Sequence, residues 1–162
     1  MNFIKAFTST SLILLFSSFA VAQVSVTFKL SPAGNFIGTT SDVKGAVKVQ
    51  GTKISAENIV VNLKTLKTGI ELRDKHTQDK LETAKFPEAV LISATGENGK
   101  GTGKVKIRGI EKPISGTYVI KGDKVEATFP LKLSDYKVEG TKYMGVGVKD
   151  ELTVVAILPV QK

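Results

Sequence analysis

Residues 114–134, ISGTYVIKGDKVEATFPLKLS, decide the fold class of this chain. Gly122 and Asp123 separate two runs in which apolar and polar residues alternate. A period of two places successive side chains on opposite faces of a strand, and such a glycine-containing pair is typical of a β-hairpin turn. Pro130 falls on the polar face of the second run, which predicts an edge strand or a bulge. The apolar face of that run consists of Val125, Ala127, Phe129, Leu131 and Leu133.

The same period of two recurs along most of the chain. It marks residues 23–30, the later half of residues 36–50, residues 59–64 and residues 103–108. Residues 111–113 are expected to form the turn that follows the last of these runs. Eight or nine short strands, most with one polar face, favour a closed antiparallel barrel or a two-sheet sandwich. No internal repeat and no linker divides them, so we predict a single all-β domain.

One polar segment, residues 65–93, interrupts the strands. Thr68 precedes Glu71 by three residues, which is the spacing of a capping box and predicts the start of a helix. Pro87 cannot continue a helix, so the helix is expected to end before it. We therefore predict one short helical insertion near residues 69–85. Such an insertion is either a lid over a functional site or a plain crossover connection.

The beginning of the chain reads as an export signal. A basic start precedes a mainly apolar run at residues 6–19, and Ala-Val-Ala at residues 20–22 matches the small-x-small cleavage pattern. The run is too short, and too often interrupted by Ser and Thr, to span a bilayer comfortably. We predict a signal peptide at residues 1–22, cleavage after Ala22, and a periplasmic or secreted domain at residues 23–162.

The composition narrows the function classes. The chain contains no cysteine, which excludes disulfides, thiolate metal sites and thiol-linked lipid anchors. Its formal net charge of +8 is compatible with transient contact with an anionic membrane surface. Lys104, Lys106 and Arg108 occupy alternate positions of one predicted strand, which is typical of a solvated face. Export and the absence of any recognition-helix, zinc-finger or RNP-like pattern predict no nucleic-acid partner.

His76 is the only histidine, and it follows Arg73 and Asp74 in the predicted helix. A single imidazole without cysteine or a carboxylate cluster makes a poor metal site, and no nucleophile or paired carboxylate is recognisable beside it. We therefore predict no catalytic residue, no metal and no cofactor, and we expect the protein not to be an enzyme. Arg73, Asp74 and His76 are predicted instead to fix the helix to the rim of a barrel.

Three blocks of sequence, in order, resemble the YceI-like lipid/polyisoprenoid-binding family. The first comprises residues 68–70 (TGI), 73–76 (RDKH) and 86–89 (FPEA). The second is residues 103–113, GKVKIRGIEKP, which looks like the family's strand and turn ending in Lys-Pro. The third is Ser-Asp-Tyr at residues 134–136, placed like the family's Ser-Asp-Phe. The resemblance covers essentially all of the chain after the signal peptide.

This resemblance selects between the two β architectures. It implies a lipocalin-like fold, so we predict a closed antiparallel barrel of about eight strands with the helical insertion near residues 69–85. Members commonly carry an aromatic residue where Leu91 stands and an arginine where Leu133 stands, which bears on the shape of the cavity. The chain has no tryptophan and so lacks the Gly-x-Trp motif of true lipocalins. Any kinship with those proteins is architectural.

The resemblance also implies the function. It predicts an exported protein that holds an isoprenoid-type ligand, a quinone or polyprenyl compound, or another long-chain apolar lipid, in the barrel lumen for carriage, storage or sequestration. The predicted lumen residues are the inward alternates Val26, Phe28, Val47, Val61, Leu63, Val105, Ile107, Ala127, Phe129 and Leu131. The alternative for each of these residues is that its side chain fills a packed core and contacts no ligand.

A second function stays open at this point. The chain is also compatible with a ligand-free basic interaction domain that binds an acidic partner or an anionic membrane surface through Lys104, Lys106 and Arg108.

Overall fold

Eleven β-strands and one α-helix make up the part of the chain that the structure, a computed structural model, describes: residues 21–140, 142–143 and 145–161. The strands are β1 (Gln23–Ser31), β2 (Asn35–Thr40), β3 (Val43–Lys44), β4 (Lys48–Gln50), β5 (Lys53–Asn62), β6 (Glu88–Glu97), β7 (Lys100–Ile107), β8 (Ile110–Lys121), β9 (Lys124–Lys132), β10 (Lys142–Tyr143) and β11 (Val146–Pro159). Helix α1 spans Glu71–Lys80, and two 3-10 turns span Leu63–Thr65 and Ser134–Tyr136. The predicted signal peptide lies outside the described residues apart from Val21, which is exposed, and Ala22, which packs in the core.

Nine of the strands form a nearly closed antiparallel barrel, in the order β2-β1-β11-β9-β8-β7-β6-β5-β3. The short strands β10 and β4 pair with β11 and β5. Two isolated bridges close the wall. Thr39 and Lys67 exchange backbone hydrogen bonds of 2.8 and 2.9 Å, and Val47 pairs in parallel with Val160. The predicted barrel of about eight strands is therefore confirmed.

The turns around β8 fall partly where the sequence places them. Lys121 pairs with Lys124 across Gly122 and Asp123, so the predicted hairpin is confirmed. The expected turn at residues 111–113 is wrong, because those residues lie within β8. The chain reverses instead at Arg108 and Gly109, whose φ angles of 50° and 75° are both left-handed. Glycine adopts that conformation freely and thus makes the tight turn possible.

Strands β8 and β9 are joined over only part of their length. Their ladder ends at the pair Thr117–Thr128, although β8 extends back to Ile110 and β9 continues to Lys132. We call the unjoined stretch, residues 110–116 and 129–132, the β8–β9 seam. Pro113 and Pro130 both lie in it, where the amide hydrogen that proline lacks is not needed for this ladder. Strand β9 is internal to the barrel, so Pro130 marks the seam and not a sheet edge.

The inward side chains form two clusters, one at each end of the barrel. The packed end is built around Val47 and Val125, whose exposed fractions are 2% and 1%. Tyr118 belongs to it and donates its hydroxyl hydrogen to the Thr52 carbonyl. A Cβ at Gly96 would lie 2.5 Å from the Tyr118 ring, so this glycine leaves room for the aromatic side chain. The other cluster, which we call the helix end, gathers Phe28, Phe36, Leu66, Leu133, Tyr136, Val138 and Leu152.

Helix α1 lies over the helix end and confirms the predicted insertion, but it is shorter than expected. It begins after Ile70, which makes no side-chain capping bond, and it ends at Lys80, well before Pro87. The predicted capping box between Thr68 and Glu71 is wrong. The Thr68 hydroxyl donates its hydrogen bond to Asp74, three residues after Glu71, and is therefore not available to cap the helix.

Candidate ligand-binding cavity

A small cavity of about 70 Å³ lies inside the helix end of the barrel, and only apolar atoms form its surface. The residues around it are Val26, Phe28, Leu63, Leu66, Leu81, Ile107, Leu131, Lys132, Leu133, Tyr136, Val138, Leu152 and Val154. An engineered apolar cavity of about 150 Å³ stays dry and binds benzene, and sites for drug-sized ligands run to several hundred Å³. The cavity therefore suits an apolar guest, and a long chain would have to enlarge it.

Six of the lining residues lie outside the strands, and four of these six close the cavity at the helix end. We call Leu66, Leu81, Tyr136 and Val138 the cap. Leu66 is 3% exposed and packs over Gly38 of β2, where an added Cβ would lie 3.2 Å from its Cγ. The absence of a side chain at Gly38 thus lets the Leu66 side chain enter the barrel mouth.

Arg108 fixes the cap to the barrel. Its Nη1 donates to the carbonyls of Tyr136 (2.9 Å) and Lys137 (2.6 Å), and its Nη2 forms a 2.8 Å ion pair with Glu82. Hydrogen bonding to Arg108 and its positive charge hold the pKa of Glu82 below the ordinary value. One guanidinium therefore joins the β7–β8 turn, the second 3-10 turn and the segment after α1.

These contacts correct the prediction of a three-cation outer face. Lys104 and Lys106 are exposed on β7, but the Arg108 side chain is only 15% exposed. Residue 108 follows the last residue of the strand and has a left-handed φ, so the alternation that describes β7 does not extend to it. The basic face proposed for an interaction domain therefore contains Lys104 and Lys106 but not Arg108.

A second set of polar contacts anchors α1 to the barrel rim through Thr68. Asp74, 6% exposed, accepts hydrogen bonds of 2.6 Å at Oδ1 from both the backbone amide and the hydroxyl of Thr68. Arg73 donates to the Thr68 carbonyl at 2.6 Å and to its hydroxyl oxygen at 2.9 Å. Burial acts to raise the pKa of Asp74, but the Thr68 hydrogen bonds and the charges of Lys67 and Arg73 outweigh it and leave the pKa below its ordinary value.

An outer cleft of about 590 Å³ separates α1 from the segment around β10. Its lining comprises Phe36, Arg73, His76, Thr77, Asp79, Lys80, Gly140, Lys142 and Val148. The Arg73 guanidinium lies 4.3 Å from the centre of the Phe36 ring, within the range of a cation–π contact. Phe36 in turn stacks on Phe28 with ring centres 4.6 Å apart. Because Phe28 lines the inner cavity, this aromatic pair stands between the cleft and the cavity.

The structure divides the ten predicted lumen residues between the two ends. Val26, Phe28, Leu63, Ile107 and Leu131 line the cavity. Val47, Val61, Ala127 and Phe129 belong to the packed end or pack against it, and Val105 is buried in β7. Of the predicted rim residues, Arg73 and Asp74 contact Thr68, whereas His76 is exposed in the outer cleft.

The sequence reasoning missed two kinds of lining residue. Leu152 and Val154 continue the alternation of β11, so the period of two could have identified them, and Leu133, already placed on the apolar face of the β9 run, was not included among the lumen residues. The cap residues could not be found in this way, because they lie in turns and in segments without a period. Their only signal is that they are large apolar or aromatic residues inside otherwise polar stretches.

Two negative findings apply to the part of the chain that is described. It contains no group of three or more histidine, aspartate or glutamate residues that could hold a metal ion. Within the same residues, we find no helix whose length and apolar character would let it cross a membrane.

A nearly closed antiparallel barrel with an apolar cavity under a helical cover defines a lipocalin-like β-barrel protein. The family model described as the YceI-like domain matches residues 18–158, so the chain belongs to the YceI-like family. The family predicted from the three sequence blocks is therefore confirmed. No curated protein matches the sequence.

Several solved structures share the fold. BcnA of Burkholderia cenocepacia superposes with a TM-score of 0.67 at 19% identity, covering 86% of this chain and 96% of that one. A polyisoprenoid binding domain from Saccharophagus degradans, implicated in plant cell wall breakdown, gives 0.58 at 14% identity, covering 86% and 93%. The Campylobacter jejuni YceI protein gives 0.54 at 19% identity, covering 80% and 87%. At these identities the similarity establishes the shared fold.

Proposed function

We propose that this chain is an exported binding protein that holds an isoprenoid-type lipid, a quinone or polyprenyl compound, in the helix end of its barrel. The observation that carries this proposal is the wholly apolar cavity beneath the cap. Family membership supports it, as does the fold shared with a polyisoprenoid binding domain. The role is binding for carriage, storage or sequestration, without catalysis.

The size of the cavity determines how such a ligand binds. About 70 Å³ accommodates only a small part of a lipid chain, so further methylenes enter as the cap and neighbouring wall move apart. Each buried methylene contributes about 0.8 kcal/mol, and ten therefore contribute about 8 kcal/mol before ordering costs. A dissociation constant near 1 μM requires about that much free energy after the ordering costs are subtracted, so a chain of about ten carbons is the lower limit for a useful probe and longer chains should bind more tightly.

The outer cleft is the entrance in this proposal. It lies directly outside the Phe28–Phe36 pair, and rotation of these two rings would connect it with the cavity. Arg73, Lys80 and Lys142 around the cleft give the entrance a positive charge that suits contact with an anionic membrane surface during transfer.

The binding proposal predicts that filling the cavity abolishes binding. Leu131→Trp places a large ring in the cavity and is expected to weaken the affinity for a ten-carbon quinone at least tenfold, measured by fluorescence titration. Val119→Trp on the exposed face of β8 is the matched control, because Val119 is 55% exposed, and it should bind as the wild type does. Organic extraction and native mass spectrometry of the protein from its own host should also show a bound lipid.

The opposite results would reject the proposal. A protein that copurifies with nothing and binds neither quinones nor prenyl phosphates is not a lipid carrier of this kind. Export is tested separately by cell fractionation and N-terminal sequencing, which should give Gln23 as the first residue of an extracytoplasmic protein. An intact Met1 terminus in the cytoplasmic fraction would contradict export and would leave the lipid-binding part of the proposal standing.

A further inference from the structure

The hydroxyl of Tyr136 is a buried polar group without a hydrogen-bond partner. Tyr136 is 3% exposed and, as part of the cap, lines the cavity with its carbon atoms, while its hydroxyl oxygen is buried behind that surface. No donor or acceptor among the described residues lies within hydrogen-bonding distance of its oxygen. Burial and the nearby Asp135 carboxylate raise the pKa of Tyr136 to about 12, so the phenol keeps its proton at physiological pH. The group is therefore an uncommitted O–H donor.

The other described buried tyrosine behaves differently. Tyr118, at the packed end, is 6% exposed, and its hydroxyl donates to the carbonyl of Thr52. A buried hydroxyl without a partner costs about 1–3 kcal/mol, and most such groups in folded proteins are paired. The Tyr118 hydroxyl at the packed end thus has a hydrogen-bond acceptor, whereas the Tyr136 hydroxyl near the cavity has none. The hydroxyl oxygen contributes nothing to the apolar surface of the cavity, so a ligand that widens the cavity by moving the cap would uncover it and supply the missing acceptor.

Tyr136 is also held in place before any ligand arrives. Its backbone amide donates to the Leu133 carbonyl at 3.0 Å, and its carbonyl accepts from Arg108 at 2.9 Å. The preceding Ser134 donates its amide and its hydroxyl to Asp150, both at 2.7 Å. A donor on a fixed turn loses little conformational freedom when it binds an acceptor, which favours selectivity.

The cavity restricts which acceptor can reach this donor. Only apolar atoms form its surface, so an ionised phosphate would lose its hydration there. The nearby cations are not directed at the cavity, because Arg108 is paired with Glu82 and the cap carbonyls and Lys132 is exposed. A carbonyl or hydroxyl oxygen is uncharged and needs only one donor.

We propose that Tyr136 recognises the head group of the ligand by donating a hydrogen bond to a neutral oxygen at its buried end. The protein then selects lipids that carry a carbonyl or hydroxyl, such as quinones, over hydrocarbons of the same length. This inference rests on the proposed lipid-binding function. It adds that the oxygen-bearing end lies beneath the cap.

The test compares decyl-1,4-benzoquinone with decylbenzene in the wild type, Tyr136→Phe and Tyr118→Phe. The wild type should bind the quinone about tenfold more tightly than the hydrocarbon, since one hydrogen bond is worth roughly that factor. Tyr136→Phe should lose most of this preference, with its affinity for decylbenzene unchanged. Because this variant removes an unpaired hydroxyl, the melting temperature of the ligand-free protein should stay the same or rise. Tyr118→Phe should lower the melting temperature and keep the preference.

Each other outcome has a definite meaning. If Tyr136→Phe keeps the wild-type preference for the quinone, the head-group role is wrong and the lipid-binding proposal survives. If the variant weakens both ligands equally and melts at a lower temperature, Tyr136 is a structural residue and the inference is overturned. If the wild type binds neither ligand, the proposed function fails and the inference fails with it.

Discussion

Asp74 shows how one buried carboxylate makes the rim contacts depend on pH. Its pKa in the folded protein lies below the ordinary value of 3.8, because the Thr68 hydrogen bonds and nearby cations favour the ionised form over the effect of burial. A depressed folded pKa contributes stability that is present above the unfolded pKa and is lost as the pH falls through the folded value. The contribution is therefore complete at pH 7, begins to fall near pH 4 and is lost as the pH passes below the pKa of the folded protein.

We expect Asp74→Asn to lower the free energy of unfolding by about 1–3 kcal/mol at pH 7, because the hydrogen bonds to a charged acceptor are weakened. As the pH falls below about 4, the difference between the variant and the wild type should shrink, because the carboxyl group of the folded protein takes up its proton. Urea unfolding between pH 3 and pH 7 measures both effects. Asp79→Asn, an exposed position on the same helix, is the control and should change little. A constant difference across the pH range would show that the ionised carboxylate is not responsible.

For single residues, the sequence predicts which side chains face inward only within the strands, where apolar and polar residues alternate. Val26, Phe28 and Leu131 were predicted as lumen residues and lie around the cavity. Arg108 was expected to face outward with Lys104, but the chain leaves the strand geometry at this residue and turns its side chain to the cap. Beyond the last residue of a strand alternation need not hold, because Leu133 still faces inward after β9 but Arg108 does not face outward after β7.

Helix α1 depends on Thr68 for its attachment to the barrel. The backbone and the hydroxyl of Thr68 form hydrogen bonds with both Arg73 and Asp74. Most other residues of the helix are exposed. We expect Thr68→Val, which keeps the shape and removes the hydroxyl, to speed amide exchange in Glu71–Lys80 at least tenfold. Exchange in β11 should not change. Hydrogen exchange with mass spectrometry resolves the two segments.

The control for this experiment is Thr77→Val. Thr77 donates its hydroxyl to the Arg73 carbonyl within the helix and makes no described bond to the barrel wall. Its loss should leave exchange in α1 close to the wild-type rate. Equal acceleration in both variants would mean that α1 is held by helix propensity and not by Thr68.

The elements differ in how far the sequence could predict them. The strands follow from their period and the Gly122 hairpin from its turn residues. The helix was located, but its cap was misassigned, because spacing alone cannot reveal that the Thr68 hydroxyl binds Asp74. The cavity cap was not predicted at all. Leu66, Tyr136 and Val138 reach the barrel mouth through tertiary contacts that no local pattern encodes.

The barrel as a whole is closed by few contacts, and Val47 is central to them. It is 2% exposed, and its backbone pairs with Pro159 and Gln161 at the end of the chain. We expect Val47→Ala to lower the free energy of unfolding by about 2 kcal/mol, since two buried methyl groups are lost and a void remains. The urea transition should shift in a single step. Val119→Ala, on the exposed face, should be nearly neutral.

A two-step transition in Val47→Ala would contradict this expectation. It would show that the two ends of the barrel unfold independently and that closure at Val47 is local.

The β8–β9 seam makes the barrel wall unevenly stiff. Leu131 belongs both to this seam and to the lining of the cavity, so a part of the wall without ladder bonds lies beside the cavity. Widening the wall between β1 and β11 or between β11 and β9 would break ladder hydrogen bonds, but no ladder pair joins β8 and β9 along the seam. Pro113 and Pro130 keep it open, because neither can supply an amide donor to form the missing rungs. Widening the wall at the seam would therefore break no β8–β9 ladder bond, whereas widening it at the hairpin end would break the pairs from Thr117–Thr128 to Lys121–Lys124.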